Sequence, residues 1–199
     1  MRDKGFTLIE LLVVVAVIAI IAGILFPVLT RAKLQAKVAR VHVELKQVGA
    51  AIQMYSDDWD GSPPLASESC DSVNVDDYLE LPPPLYDYIG TRRYYDLFNP
   101  GRTYKYIAPG PGYVNGMLSR IKIYVPTDYP RSEEECTARR KPEDSPIKWA
   151  VWSVGPSGGG DLFQFHDYPD HRYPVSKQVW YPYYEDGVIV RLSDGRKSP

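Results

Sequence analysis

Between Leu11 and Thr30 the chain carries no charged residue, and Leu11–Phe26 is Leu, Val, Ile, Ala and Phe with a single Gly. About 20 apolar residues at ~1.5 Å of rise each span the ~30 Å hydrocarbon core of a bilayer. This run predicts a membrane-crossing helix at one end of the molecule. Glu10 stands at its start, inside KGFTLIELLVV. An ionised carboxylate within such a helix costs on the order of 2.5–3.5 kcal/mol at mid-membrane and less near the interface. An anchor alone has no use for it, so Glu10 reads as half of a charge pair.

A secretory signal peptide would have an apolar stretch of about 7–15 residues followed by a small-residue cleavage site. Here the stretch is longer, and the candidate break lies before it, at Gly5–Phe6, behind the polar leader Met1-Arg2-Asp3-Lys4-Gly5. A cut there removes Arg2 and Lys4, keeps the apolar helix, and creates an α-amino group on Phe6, four residues before Glu10. That amine is the missing partner for the carboxylate, within one helix or between neighbouring copies staggered by about one turn. Fixing register is the best-attested use of a costly buried charge.

Lys4-Gly5-Phe6-Thr7-Leu8-Ile9-Glu10, followed by the apolar run and Pro27, closely resembles the class III signal of type IV pilins and type II secretion pseudopilins. The resemblance implies that prepilin peptidase cuts after Gly5 and that the new N-terminal Phe6 is methylated. It also implies that Glu10 serves in assembly of a helical filament and that Pro27 loosens the buried helix. The plainer alternative is a signal anchor with an incidental glutamate. Arg31, Lys33, Lys37 and Arg40 follow the apolar run, and counting basic residues near its ends would put the C-terminal domain in the cytoplasm. The resemblance implies the opposite orientation: a single-pass inner-membrane protein with an extracytoplasmic domain, later part of a filament in the periplasm or at the cell surface. The basic residues would then lie near lipid head groups before assembly.

Helical patterning continues past the anchor. Leu34, Val38, Val41, Leu45, Val48, Ile52 and Tyr55 fall at alternating spacings of four and three, forming one apolar stripe. Lys37, Arg40, Glu44 and Lys46 sit elsewhere on the circumference. The stripe predicts a helix laid on a β-sheet, with a coiled-coil seam as the alternative. Its stop is expected at Asp57-Asp58-Trp59-Asp60-Gly61, ahead of Pro63-Pro64. Ser56, Asp58, Asp60 and Gly61 superficially resemble a calcium loop, but Ser67 stands where the twelfth-position Glu would be needed. A solvated turn is the expectation there.

The remainder divides into a loop-rich insertion, 62–146, and a C-terminal sheet region, 147–199. Within the insertion LPPPLYDYIG (81–90) predicts a helix that starts at its prolines and ends at Gly90. Tyr104–Ala108 and Arg120–Val125 alternate as strands do. Further strands are expected at 147–154, 178–181 and 188–192. Cys70 and Cys136 both fall in the insertion. In an extracytoplasmic compartment a bridge between them is expected, stabilising by on the order of 4 kcal/mol in the chain-entropy model; two buried thiols are the alternative. Such a bridge would not match the C-terminal disulfide loop of many major pilins.

Trp152-Ser153-Val154-Gly155, with Ser157-Gly158-Gly159-Gly160-Asp161 after it, is similar to the WSxGxDG-type segment of major type II pseudopilins, whose loop binds calcium. Only Asp161 matches, with Asp167 and Asp170 as further oxygens, and Ser157 stands where an acid is expected. A hard cation wants 6–8 oxygens, so a Gly-rich hairpin is the favoured expectation and no cofactor is required. His166 and His171, in HDYPDH, fit no helical zinc spacing. Ser153 lacks the G-x-S-x-G setting of a hydrolase nucleophile. The charge is nearly balanced, 23 Lys+Arg against 25 Asp+Glu, so no global field argues for nucleic acid.

The resulting expectation is an α+β, pilin-like fold: leader 1–5, transmembrane and assembly helix 6–30, amphipathic helix 31–61, insertion 62–146, and antiparallel sheet 147–199. Expected partners are prepilin peptidase, copies of itself and other pilin-like subunits, an inner-membrane assembly platform, and lipid. A DNA-uptake pilin would add nucleic acid. The expected function is structural, not enzymatic, with a type II secretion-like pseudopilin first and a surface type IV pilin second. A tethered extracytoplasmic binding domain that never polymerises is the alternative from another class.

Overall fold

The structure is a computed structural model. It describes residues 7–68, 80–90, 94–114, 116–121, 123–124, 139–140, 145, 147–157, 180–182 and 187–199. The chain is α+β and divides into two compact units, Met1–Lys37 and Val38–Pro199. A single helix, α1 (Leu8–Asp58), contributes to both.

In the first unit every described side chain from Thr7 to Lys33 is exposed. A helix this apolar and this exposed is covered by something other than its own chain, and it is long and apolar enough to cross a membrane. Pro27 lies inside it without ending it. Proline lacks the N–H that would bond the carbonyl of Gly23, and its ring crowds that turn; the penalty in a helix interior is about 3 kcal/mol. One turn on, Thr30 Oγ1 donates to the Phe26 carbonyl at 3.0 Å, a back-bond that bends helices slightly.

In the second unit the helical stripe is buried where the spacing places it. Val41, Leu45, Val48 and Ile52 are all but inaccessible, and Val38 and Tyr55 pack against them half-buried. Their core partners include Tyr104, Tyr106, Trp149 and Trp152. Gly49 lets the helix approach closely, since a Cβ there would sit 2.9 Å from Trp149 Cη2. The helix ends at Asp58, and the chain turns through Asp60 (φ 50°) and Gly61 (φ 77°).

The remaining elements are short: β1 (Ala66–Glu68), a 3-10 turn (Pro83–Leu85) running into α2 (Tyr86–Ile89), β2 (Lys105–Ile107), β3 (Gly110–Val114), β4 (Met117–Ile121), β5 (Ile123–Tyr124), β6 (Arg139–Arg140), β7 (Ala150–Ser153) and β8 (Ile189–Leu192). The 3-10 turn has Pro at its first positions and α2 is capped by Gly90 at φ 80°. The prolines supply the helical φ and the glycine the positive one.

Two three-stranded sheets form. In the order β2-β7-β8 all pairs are antiparallel, with Tyr106 opposite Val151 and Trp152 opposite Val190. In the order β1-β3-β4, β1 pairs parallel with β3, and β3 and β4 form a hairpin. β5 and β6 pair separately.

Strand β2 belongs to the main sheet although it lies within 62–146, the segment set apart as an insertion on sequence. Leu81, Leu85, Tyr104 and Tyr106 from that segment join the same core. The 178–181 strand reduces, among described residues, to a bridge of Trp180 with Val188. The central strand β7 is buried at all four positions, Ala150, Val151, Trp152 and Ser153. Both of its faces are therefore covered, so no polar–apolar alternation marks it.

Gly155, just past β7, has φ +82°, and a Cβ there would overlap the Gly187 carbonyl. The left-handed penalty and the backbone contact add, and Gly155→Ala is expected to cost roughly 3 kcal/mol. Urea unfolding of the detergent-solubilised chain measures it.

His42 is the one histidine among the described residues. Its Nε2 is buried without a hydrogen-bond partner there. Burial pushes its pKa below the ordinary 6.5, and the charges of Lys197 and Arg191 push the same way, against a hydrogen bond with the Pro199 backbone. The folded state therefore favours the neutral ring. Its contribution is fully present above pH 6.5 and is lost as pH falls from there through the depressed folded value. His42→Gln should flatten that part of the melting-temperature profile.

Candidate assembly site at the helix start

Thr7 and Glu10 close the first turn of α1 reciprocally. The Thr7 backbone N–H donates to Glu10 Oε2 at 2.9 Å, Thr7 Oγ1 donates to the same oxygen at 2.7 Å, and the Glu10 N–H donates to Thr7 Oγ1 at 3.3 Å. The Leu11 N–H donates to the Thr7 carbonyl at 3.2 Å, the first helical bond. This is a capping box: T-x-x-E satisfies helix-end donors that would otherwise go unpaired. A carboxylate here also faces the positive end of the helix dipole.

The signal for this arrangement was in the sequence as Thr7-Leu8-Ile9-Glu10, and reasoning from charge alone missed it. Glu10 has a partner inside its own turn as well as the one proposed for it on the Phe6 amine. Only Oε2 is engaged in these bonds, and Glu10 is exposed. The cap thus leaves the second oxygen for a further donor, and the two roles are compatible.

Around this turn the surface is apolar. Leu8, Ile9 and Leu12 are each more than 60% exposed, and the exposed apolar surface continues along the helix through Ile20, Ile24 and Phe26, so a carboxylate with one oxygen uncommitted is presented at the start of a greasy flank. Such a surface suits lipid or a second helix of the same kind. Pro27 lies on the same helix. Gly5 and Phe6 lie outside the described residues, as do Cys70, Cys136, Asp161, Asp167, Asp170, His166 and His171.

A polar hub sits in the second unit. Asp96 accepts from Ser153 Oγ at 2.6 Å, from the Val154 N–H at 2.8 Å and from the Phe98 N–H at 2.9 Å, and it is 2% exposed. Burial pushes its carboxyl above the ordinary value, while these three donors and the charge of Lys105, itself wholly buried, hold it down. Glu44, 4% exposed, accepts from Arg40 Nε at 2.9 Å and from the Tyr104 hydroxyl at 2.6 Å. Tyr106 donates to the Pro64 carbonyl at 2.8 Å. These groups tie loops and helix to β2 and β7.

At the helix end Ser56 is buried and donates to the Ile52 carbonyl at 2.8 Å, and Asp58 accepts from the Tyr88 hydroxyl at 2.9 Å. Two of the three side chains of the apparent calcium loop thus have partners within the protein, and the third, Asp60, is exposed. Among the described residues no group of three or more His, Cys, Asp or Glu side chains is placed to hold a metal.

Residues 1–26 match the family model described as the prokaryotic N-terminal methylation motif. No curated protein and no solved structure matches the chain.

Proposed function

Because residues 1–26 carry the prepilin signal of type IV pilins and pseudopilins, we infer that this chain is a structural subunit of a pilin-type filament. Prepilin peptidase cuts it after Gly5 and the exposed Phe6 is methylated. Before assembly the apolar part of α1 holds it in the inner membrane, with the second unit outside the cytoplasm. During assembly that helix leaves lipid for a bundle of like helices, and Glu10 neutralises the Phe6 amine of its own or a neighbouring copy.

The observation that carries this reading is the coincidence at one end of the chain. The matched motif, an apolar helix that its own chain leaves bare, and a single carboxylate at its first turn occur together. A binding domain merely tethered to the membrane could use the carboxylate as a helix cap, but it has no use for the cut. Within the class, a pseudopilin of a type II secretion-like machine is the favoured member, supported by the similarity of WSVGPSGGGD to that branch. Deleting the gene and scoring both secreted protein and surface fibres tests the choice. Lost secretion with fibres unaffected supports the pseudopilin; lost fibres with secretion intact supports a surface pilin; neither loss contradicts the filament reading.

A further inference from the structure

Three aromatic rings meet where α1 ends. Tyr55 and Trp59 stack with centroids 5.5 Å apart and planes 10° from parallel, and Tyr88 of α2 meets Tyr55 edge-on, also at 5.5 Å, with planes at 71°. Tyr55 lies on one side of the indole, yet Trp59 remains 58% exposed. The other face is an open, rigidly backed platform.

Its neighbours on the described chain are acidic. Asp57, Asp58 and Asp60 are exposed beside it, and the last turn of α1 holds no basic residue. Carboxylates at a helix C-terminus oppose the dipole, so this arrangement is unfavourable within the single chain. Gln53 donates to Asp57 at 2.8 Å and Tyr88 to Asp58 at 2.9 Å, which orients two of the acids without neutralising them. An aromatic face flanked by carboxylates attracts a cation, and Trp is the best ring for a guanidinium.

The same chain carries the complement. Arg31, Lys33 and Lys37 are exposed, and the sequence holds no acid between Glu10 and Glu44. We propose that the Trp59 platform receives the Arg31–Lys37 basic band of a second copy of this chain, with an arginine stacked on the indole and Asp57 and Asp60 flanking it. The proposal rests on the filament reading above and specifies a lateral contact between subunits: aromatic and acidic on one copy, basic on the other. Being heterologous, the contact repeats along a filament and does not close a dimer.

The test uses the full-length chain in its own cells, with a photo-activatable benzophenone residue in place of the exposed Ser62, three positions past Trp59. The expected product is a cross-linked dimer whose junction maps to residues 31–40 of the second copy. Trp59→Ala, or Asp57→Lys with Asp60→Lys, should lower its yield about tenfold. Adding Arg31→Asp and Lys33→Asp to the lysine pair should restore it. Filaments that form normally while the cross-link maps elsewhere, goes to a glycan or another protein, or ignores these substitutions would overturn the docking and leave the filament reading standing. Absence of filaments from the unsubstituted chain would overturn that reading and, with it, the contact.

Discussion

Cells whose only copy carries Glu10→Gln should make roughly a hundredfold less filament, with the precursor still in the membrane and cut. The two roles of Glu10 make this substitution more informative than alanine. Glutamine satisfies the capping box nearly as well as glutamate, so the first turn and its hydrogen bonds to Thr7 survive. What is lost is the negative charge. In an apolar bundle the Phe6 amine would then stand unneutralised, at a cost of about 3 kcal/mol on insertion scales, which corresponds to a factor of roughly a hundred. Glu10→Ala removes cap and charge together and should assemble no better. Thermal unfolding of the second unit should be the same in all three chains, because among the described residues the side chain of Glu10 bonds only to Thr7, at the start of the helix. Wild-type yield from Glu10→Gln beside a defect in Glu10→Ala would make Glu10 a helix cap and nothing more.

Asp96→Ala should be the most damaging single change in the second unit, costing about 3–5 kcal/mol. Three donors converge on this carboxylate: the Ser153 hydroxyl and the N–H groups of Val154 and Phe98. Lys105, fully buried, supports its charge. Alanine would leave these donors without their acceptor in a dry place and Lys105 without that opposing charge, and unmade bonds of this kind are more expensive than made ones are favourable. Asp96→Asn is the companion. It keeps the volume and an acceptor but aims an amide at groups that donate, so its cost should be intermediate.

The pH dependence of the wild-type chain separates this account from simple packing loss. Burial raises the folded pKa of Asp96, so its contribution is fully present below the unfolded value and declines as pH rises through the folded one. That slope should vanish in both variants. Denaturant melts between pH 3 and 7 read cost and slope together; a loss below 1 kcal/mol in Asp96→Ala would show that the hub is not what joins this loop to β7.

Local features of the fold were legible because each needs only a few neighbouring residues. The stripe Val41–Leu45–Val48–Ile52 lies at helical spacing and is buried as such, and the helix stops at Asp58, beside the acids and glycine that mark the stop. In LPPPLYDYIG the prolines and the glycine bracket a helical turn. What stayed hidden depends on partners far along the chain. Nothing in Lys105–Ile107 says that it pairs with Ala150–Trp152, because alternation sets which face is buried and not which strand lies alongside. Charged side chains also misled, since Asp, Glu and Lys are almost never fully buried unless paired. Glu44, three residues after Val41 and next to Leu45, lies at the edge of the stripe and goes under it, held by Arg40 and Tyr104.

The candidate site shows the same division. Glu10 is conspicuous because a carboxylate in an apolar run is expensive, whereas its bond to Thr7 shows only as a T-x-x-E spacing that charge does not reveal. The platform at Tyr55, Trp59 and Tyr88 could not be foreseen, because Tyr88 reaches it from thirty residues away in sequence.

The account depends first on the cut that creates the Phe6 amine, and intact mass with N-terminal sequencing of the chain extracted from its own cells reads it directly. A chain that begins at Phe6 and is heavier by one methyl group is the predicted result. A chain that still begins at Met1 would contradict it, leaving Glu10 as a helix cap and the apolar helix as a plain anchor.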